Sequence, residues 1–151
     1  GSFGFGLEAS LCMMRLIHGG VLDAYPRLKI ILGHLGEGLP FRALRLAFAY
    51  PRLRRPGLKK RPSDYLKENM FVATSGNYLP AALVCTLEAL GVDRVVLGTD
   101  YPYEDANECL QFLESVRLAQ ADREKIYHLN AGRLALRKSP DRREWGASRP
   151  L

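Results

Sequence analysis

Two strand-like runs in this chain end in side chains that could do chemistry. At 28–41 the sequence LKIILGHLGEGLPF carries an apolar run that stops at Gly33 and His34, with Glu37 three residues beyond and Gly36, Gly38 and Pro40 punctuating the segment. At 94–102 the sequence RVVLGTDYP repeats the pattern, and its apolar run stops at Asp100. In parallel α/β folds the carboxyl ends of the strands face the ligand, so an imidazole and a carboxylate delivered there could move protons or hold a divalent cation. A third run, 70–74, ends in Ser75, Gly76 and Asn77, whose polar groups could donate to a substrate or simply turn the chain.

Each candidate also has a plainer role. A lone histidine often does no more than bond a neighbouring carbonyl, but the Gly-His-x-Gly-Glu-Gly setting of His34 leaves room for close approach and favours chemistry. Glu37 starts the next helix, where the dipole favours a carboxylate whether or not it is functional. Asp100 could bind or could cap the loop before Glu104. Glu104 and Asp105 read as first-turn acids of a long helix, and His18 and His128 lie within helical patterns with no catalytic role. One His and one Asp do not fill a metal site that ordinarily takes three or four protein ligands.

The elements that must position these residues follow from periodicity. Helices are expected over 7–17, 39–50, 65–68, 80–90 and 104–119, the last burying Leu110, Leu113 and Val116. Two more helical pieces follow, capped by Asp122 and Asn130. Strands are expected over 28–33, 70–74 and 94–99. Strands alternating with helices argue for parallel β-α-β units with right-handed crossovers. Helices on one side of such a sheet leave its other face bare, and a closed (β/α)8 barrel needs about 250 residues. The fold class is therefore α/β, the C-terminal half of a TIM barrel over 1–137, followed by a basic flexible tail over 138–151.

Composition narrows the class further. The chain has 151 residues, 47% hydrophobic and 25% charged, as expected of one soluble globular unit. It lacks the roughly 18–20 consecutive apolar residues of a membrane span, a secretory leader pattern and an initiator methionine, so a processed piece or fragment is expected. Cys12, Cys85 and Cys109 read as small buried hydrophobes of a reducing, cytoplasmic protein. The net charge of +6 is concentrated at 52–61, a stretch without aromatic residues for base stacking. It reads as a solvated loop, not a nucleic-acid site. No Gly-x-Ser-x-Gly, phosphate-cradling glycine loop, His-Glu-x-x-His or Cys-x-x-Cys motif occurs.

The stretch from Gly20 to Pro40 (GVLDAYPRLKIILGHLGEGLP), with Thr74-Ser75-Gly76-Asn77, the stretch from Asp93 to Glu104 (DRVVLGTDYPYE) and Asn130-Ala131-x-Arg133-Leu134 in the same order, resembles the amidohydrolase-related decarboxylases. These include the γ-resorcylate and 2,3-dihydroxybenzoate decarboxylases and, more distantly, aminocarboxymuconate semialdehyde decarboxylase. The resemblance implies a barrel with one divalent metal, zinc foremost and manganese or magnesium as alternatives. It implies that Asp100 is a metal ligand and proton donor, that His34 handles protons or polarises the substrate, and that Glu37 forms a relay with His34. The remaining ligands of such a site would precede Gly1, so this chain alone is expected to be inactive. The implied reaction is non-oxidative decarboxylation of a small aromatic carboxylic acid by a homo-oligomer, with no nucleic-acid or membrane partner. Two rivals remain at this stage: hydrolysis of an amide or lactone, and a truncated chain that serves as an interaction module.

Overall fold

The structure, a computed structural model, describes residues 3–53 and 57–135. Helix α1, Gly4–His18, buries Met13 and Ile17. It stops at two glycines, where Gly20 turns left-handed at φ 74° and the N–H groups of Gly19 and Gly20 return to Arg15 and Ile17 carbonyls. One helical turn, α2 (Val21–Ala24), leads into strand β1, Ile30–Leu32. The start of β1 is held by a side chain: Asn69 Nδ2 donates to the carbonyls of Pro26 (3.0 Å) and Leu28 (2.8 Å).

Helix α3, Leu39–Ala49, has Pro40 in its first turn, where the missing N–H has no helical partner to lose. Helix α4 spans Pro62–Asn69, and Asp64 accepts the Arg61 N–H at 3.1 Å at its start. Strand β2 is Met70–Ala73, helix α5 is Pro80–Leu90 and strand β3 is Val95–Val96. The strands form a parallel sheet in the order β1-β2-β3, with Ile31 beside Phe71 and Val72 beside Val95. Side chains alternate across a strand. Ile30, Leu32, Met70, Val72 and Val95 therefore pack with the helices, while Ile31, on the opposite face, is 56% exposed. The helices cover one face of the sheet, and on the other Ile31 is open while Phe71 and Val96 are buried.

Several expected boundaries shift. β3 is shorter than 94–99 because Arg94 lies in a 3-10 turn, Val92–Arg94, and its outer side meets a helix instead of a strand. Asn130 Nδ2 takes the Val95 carbonyl and the Leu97 N–H donates to the Ile126 carbonyl, both at 2.8 Å. The long helix is α6, Ala106–Ser115, with Asp105 capping the Asn107 N–H at 2.8 Å. It buries Cys109, Phe112 and Leu113, and Leu110 is exposed because it falls on the outer face. Asp122 lies inside the first turn of α7, Gln120–Glu124, without capping it. A π-helical turn, Lys125–Leu129, runs directly into α8, Asn130–Ala135, so Asn130 staples β3 and does not cap a helix. Cys12 is exposed, Cys85 intermediate and Cys109 buried, so the three do not behave alike. No helix among the described residues is long and apolar enough to cross a membrane. The expected tail over 138–151 lies outside the described residues, as do residues 54–56 of the basic stretch.

Candidate active site

Two hydrogen bonds align the carboxyl ends of β2 and β3. The buried Thr74 hydroxyl donates to the Gly98 carbonyl at 3.0 Å and accepts the Gly98 N–H at 3.2 Å. A side chain at Gly98 would collide with Ala73, its Cβ lying 2.8 Å from the Ala73 Cβ, so close approach of the two chains requires glycine here. The loops that follow the strands then leave the sheet side by side.

Those loops carry left-handed backbone at four non-glycine residues: His34 (φ 51°), Leu35 (53°), Glu37 (51°) and Asp100 (60°). Each such residue costs on the order of 1–3 kcal/mol, which surrounding contacts must offset. Buried Leu35 inserts into the core, its carbonyl accepts the Thr86 hydroxyl at 3.3 Å, and the Ser10 hydroxyl donates to the Glu37 carbonyl at 2.7 Å. The result is to turn the His34 imidazole over the end of β2 and toward Asp100.

The imidazole is bracketed by carboxylates. His34 Nδ1 lies 2.7 Å from Glu37 Oε1, a bond that places the ring proton on Nδ1 and leaves Nε2 facing Asp100 Oδ2 at 3.6 Å. Ser75 is buried, and its Oγ accepts the His34 N–H at 3.5 Å. Asn77 is partly buried in the same loop. The three principal residues read from the sequence, His34, Glu37 and Asp100, thus meet at one rim.

Sequence reading passed over three other residues. Glu104 is not part of a helix: its N–H bonds the Asp100 carbonyl at 3.2 Å in a tight turn, and its carboxylate comes round to the side of Asp100 and His34. Tyr78 donates its hydroxyl to Glu104 Oε2 at 2.8 Å. Burial, and then the Glu104 carboxylate, push the Tyr78 phenol up to about 12, so it stays a donor throughout the neutral range. Gly76 (φ 63°) supplies the floor: a Cβ there would lie 2.0 Å from His34 Cδ2 and 2.9 Å from Glu104 Oε1. The Asp100-to-Glu104 spacing around Pro102 was a usable signal for Glu104, whereas no local pattern marks Tyr78.

His34, Asp100 and Glu104 each offer one donor atom, all within 4.8 Å of one another. That is the separation of donors around a single divalent ion, whose ligand atoms sit about 2.0–2.6 Å from it. The set is mixed nitrogen and oxygen, suited to zinc, manganese or magnesium.

The chain is similar to several known proteins. The amidohydrolase family signature matches residues 2–134. The chain is 37% identical over 136 residues to a gamma-resorcylate decarboxylase of Rhizobium radiobacter, covering 88% of this chain and 42% of that protein. The crystal structure of a 2,6-dihydroxybenzoate decarboxylase complexed with 2,6-dihydroxybenzoate superposes with a TM-score of 0.81 at 36% identity, over 87% of this chain and 42% of that one. A dihydroxybenzoic acid decarboxylase from Polaromonas sp. JS666, with bound manganese and the inhibitor 2-nitroresorcinol, gives 0.82 at 35% identity over 91% and 42%. The chain spans about two-fifths of the length of these relatives, and its fold is the corresponding part of their barrel.

Proposed function

Because the chain belongs to the amidohydrolase family, we propose that it carries the rim of a metal-dependent barrel enzyme that removes carbon dioxide from a small aromatic carboxylic acid. One observation carries the reading: an imidazole fixed by Glu37 at 2.7 Å presents its free nitrogen to Asp100 at the carboxyl end of a parallel sheet. A divalent cation held there would act as a Lewis acid toward carboxylate and phenol oxygens. Asp100 is the residue of this chain that would hold it. Glu37 orients the ring and stabilises it when charged, so His34 Nε2 can hold and release a proton at the face of a bound ring. Protonation of the ring carbon that bears the carboxylate, followed by cleavage of the carbon–carboxylate bond, releases carbon dioxide and returns the electron pair to the aromatic system. Asn77 is positioned to donate to substrate oxygens, and Ser75 acts by fixing the His34 backbone.

The rest of the metal cage lies on the part of the barrel that this chain does not span, so the chain by itself is inactive in this proposal. Zinc is the cation the sequence resemblance favours, and manganese is the one bound in the Polaromonas relative. The working form is a homo-oligomer of the whole barrel in the cytoplasm. The test is a chimera in which this chain replaces its matching portion of the Rhizobium radiobacter decarboxylase. The expected outcome is carbon dioxide release from 2,6-dihydroxybenzoate that needs added Zn2+ or Mn2+. Release that is absent while amide or lactone substrates are hydrolysed would move the assignment to a hydrolase.

A further inference from the structure

Glu104 has no role in the proposed function, yet it is built into the same rim. We propose that Glu104 is a direct ligand of the cation that Asp100 holds, its free oxygen aimed there by Tyr78. Its carboxylate is oriented at both ends: Tyr78 donates to Oε2 at 2.8 Å, and Oε1 projects over the bare Cα of Gly76, beside His34 Nε2. Tyr78 is itself fixed, its ring tilted against Phe112 with centroids 5.6 Å apart. This is how protein metal sites hold their ligands: one atom binds and the other is tied to a fixed donor.

Charge points the same way. Two carboxylates and an imidazole nitrogen converge within 4.8 Å, and among the described residues no Lys or Arg pairs with Asp100 or Glu104. A cation between them relieves that repulsion. Glu104 supplies a second carboxylate donor beside Asp100, while His34 Nε2 keeps its proton-handling place at the same rim, and cation binding becomes a property of this chain before any other part of the barrel contributes.

The inference rests on the reading of Asp100 as a metal ligand but not on the reaction. Its test is Mn2+ binding to the full chain, followed by loss of the free-ion paramagnetic resonance signal, for the unsubstituted chain, D100N, E104Q and Y78F. One Mn2+ per chain is expected. E104Q and Y78F should each weaken binding at least tenfold while leaving the circular dichroism spectrum and melting temperature unchanged. Undiminished affinity in E104Q, with binding lost in D100N, overturns the role of Glu104 and leaves the metal reading standing. No binding to the unsubstituted chain at millimolar Mn2+ overturns the inference. Tight binding by the chain alongside an inactive chimera would overturn the decarboxylase reading while Glu104 kept its place.

Discussion

The two ends of the three-stranded sheet are built on opposite principles. At the amino end polar groups are spent on structure: Asn69 and Asn130, both buried, each donate to two backbone carbonyls, and Asp93 pairs with Lys125 at 3.3 Å and Arg133 at 3.1 Å. At the carboxyl end four non-glycine residues adopt left-handed backbone, and two carboxylates face an imidazole without a cationic partner among the described residues. One end lowers the free energy of the fold, and the other retains strain and charge that a ligand can relieve. Conformational and electrostatic cost concentrated at one end of a sheet is a sign of function that no single residue provides.

Five substitutions can break or sharpen that contrast. In the chimera, H34A and D100N should each lower the rate of carbon dioxide release by at least about 100-fold with little change in melting temperature. A melting temperature lowered in step with activity would make the carboxyl end structural after all. G76A should come next: its methyl would occupy the place of the imidazole, 2.0 Å from His34 Cδ2, so activity should fall about tenfold or more. The left-handed backbone there adds about 1 kcal/mol of destabilisation, readable by denaturant titration.

N130A should do the reverse, destabilising by roughly 2–3 kcal/mol as two carbonyls lose their donor, while Mn2+ affinity stays within a factor of two. A large loss of metal affinity in N130A would join the two ends and refute their separation. The smallest effect belongs to Asp93. The hydrogen bond from Lys125 comes first in holding its carboxyl below the ordinary value, burial opposes it next, and Arg133 adds to the lowering. A lowered folded-state value means that the stabilisation is present above the unfolded pKa of about 3.9 and is lost as pH falls through the lower folded one. Because Asp93 is well exposed, solvent screening limits this to a few tenths of a kcal/mol. The melting temperatures of the unsubstituted chain and D93N should therefore differ slightly at pH 6 and converge near pH 2.5.

Much of this architecture was legible in the sequence where a rule is local. Apolar runs marked all three strands, Pro40 and Gly91 marked helix limits, and Gly33-His34 marked the end of β1, whereas the third run, read as far as Thr99, leaves the ladder after Val96. The misreadings share a cause, namely contacts made across long sequence separations. Asn130 looked like a helix cap because asparagine often is one, but it bonds Val95, 35 residues away. Glu104 looked like a first-turn acid, until Tyr78, 26 residues earlier, turned out to be its partner. Leu110 was assigned to the core by period alone, and the sheet that would have covered it lies on the other face of α6.

The Asn130 staple also governs how this molecule can meet others. In a parallel ladder alternate residues bond to opposite sides, and Val96 already faces β2 through the Thr74 N–H. Two of the outward groups of β3, Val95 O and Leu97 N, are taken by the helical segment that follows. Pairing of a further strand along β3, as closure of a whole barrel requires, must first displace these two bonds.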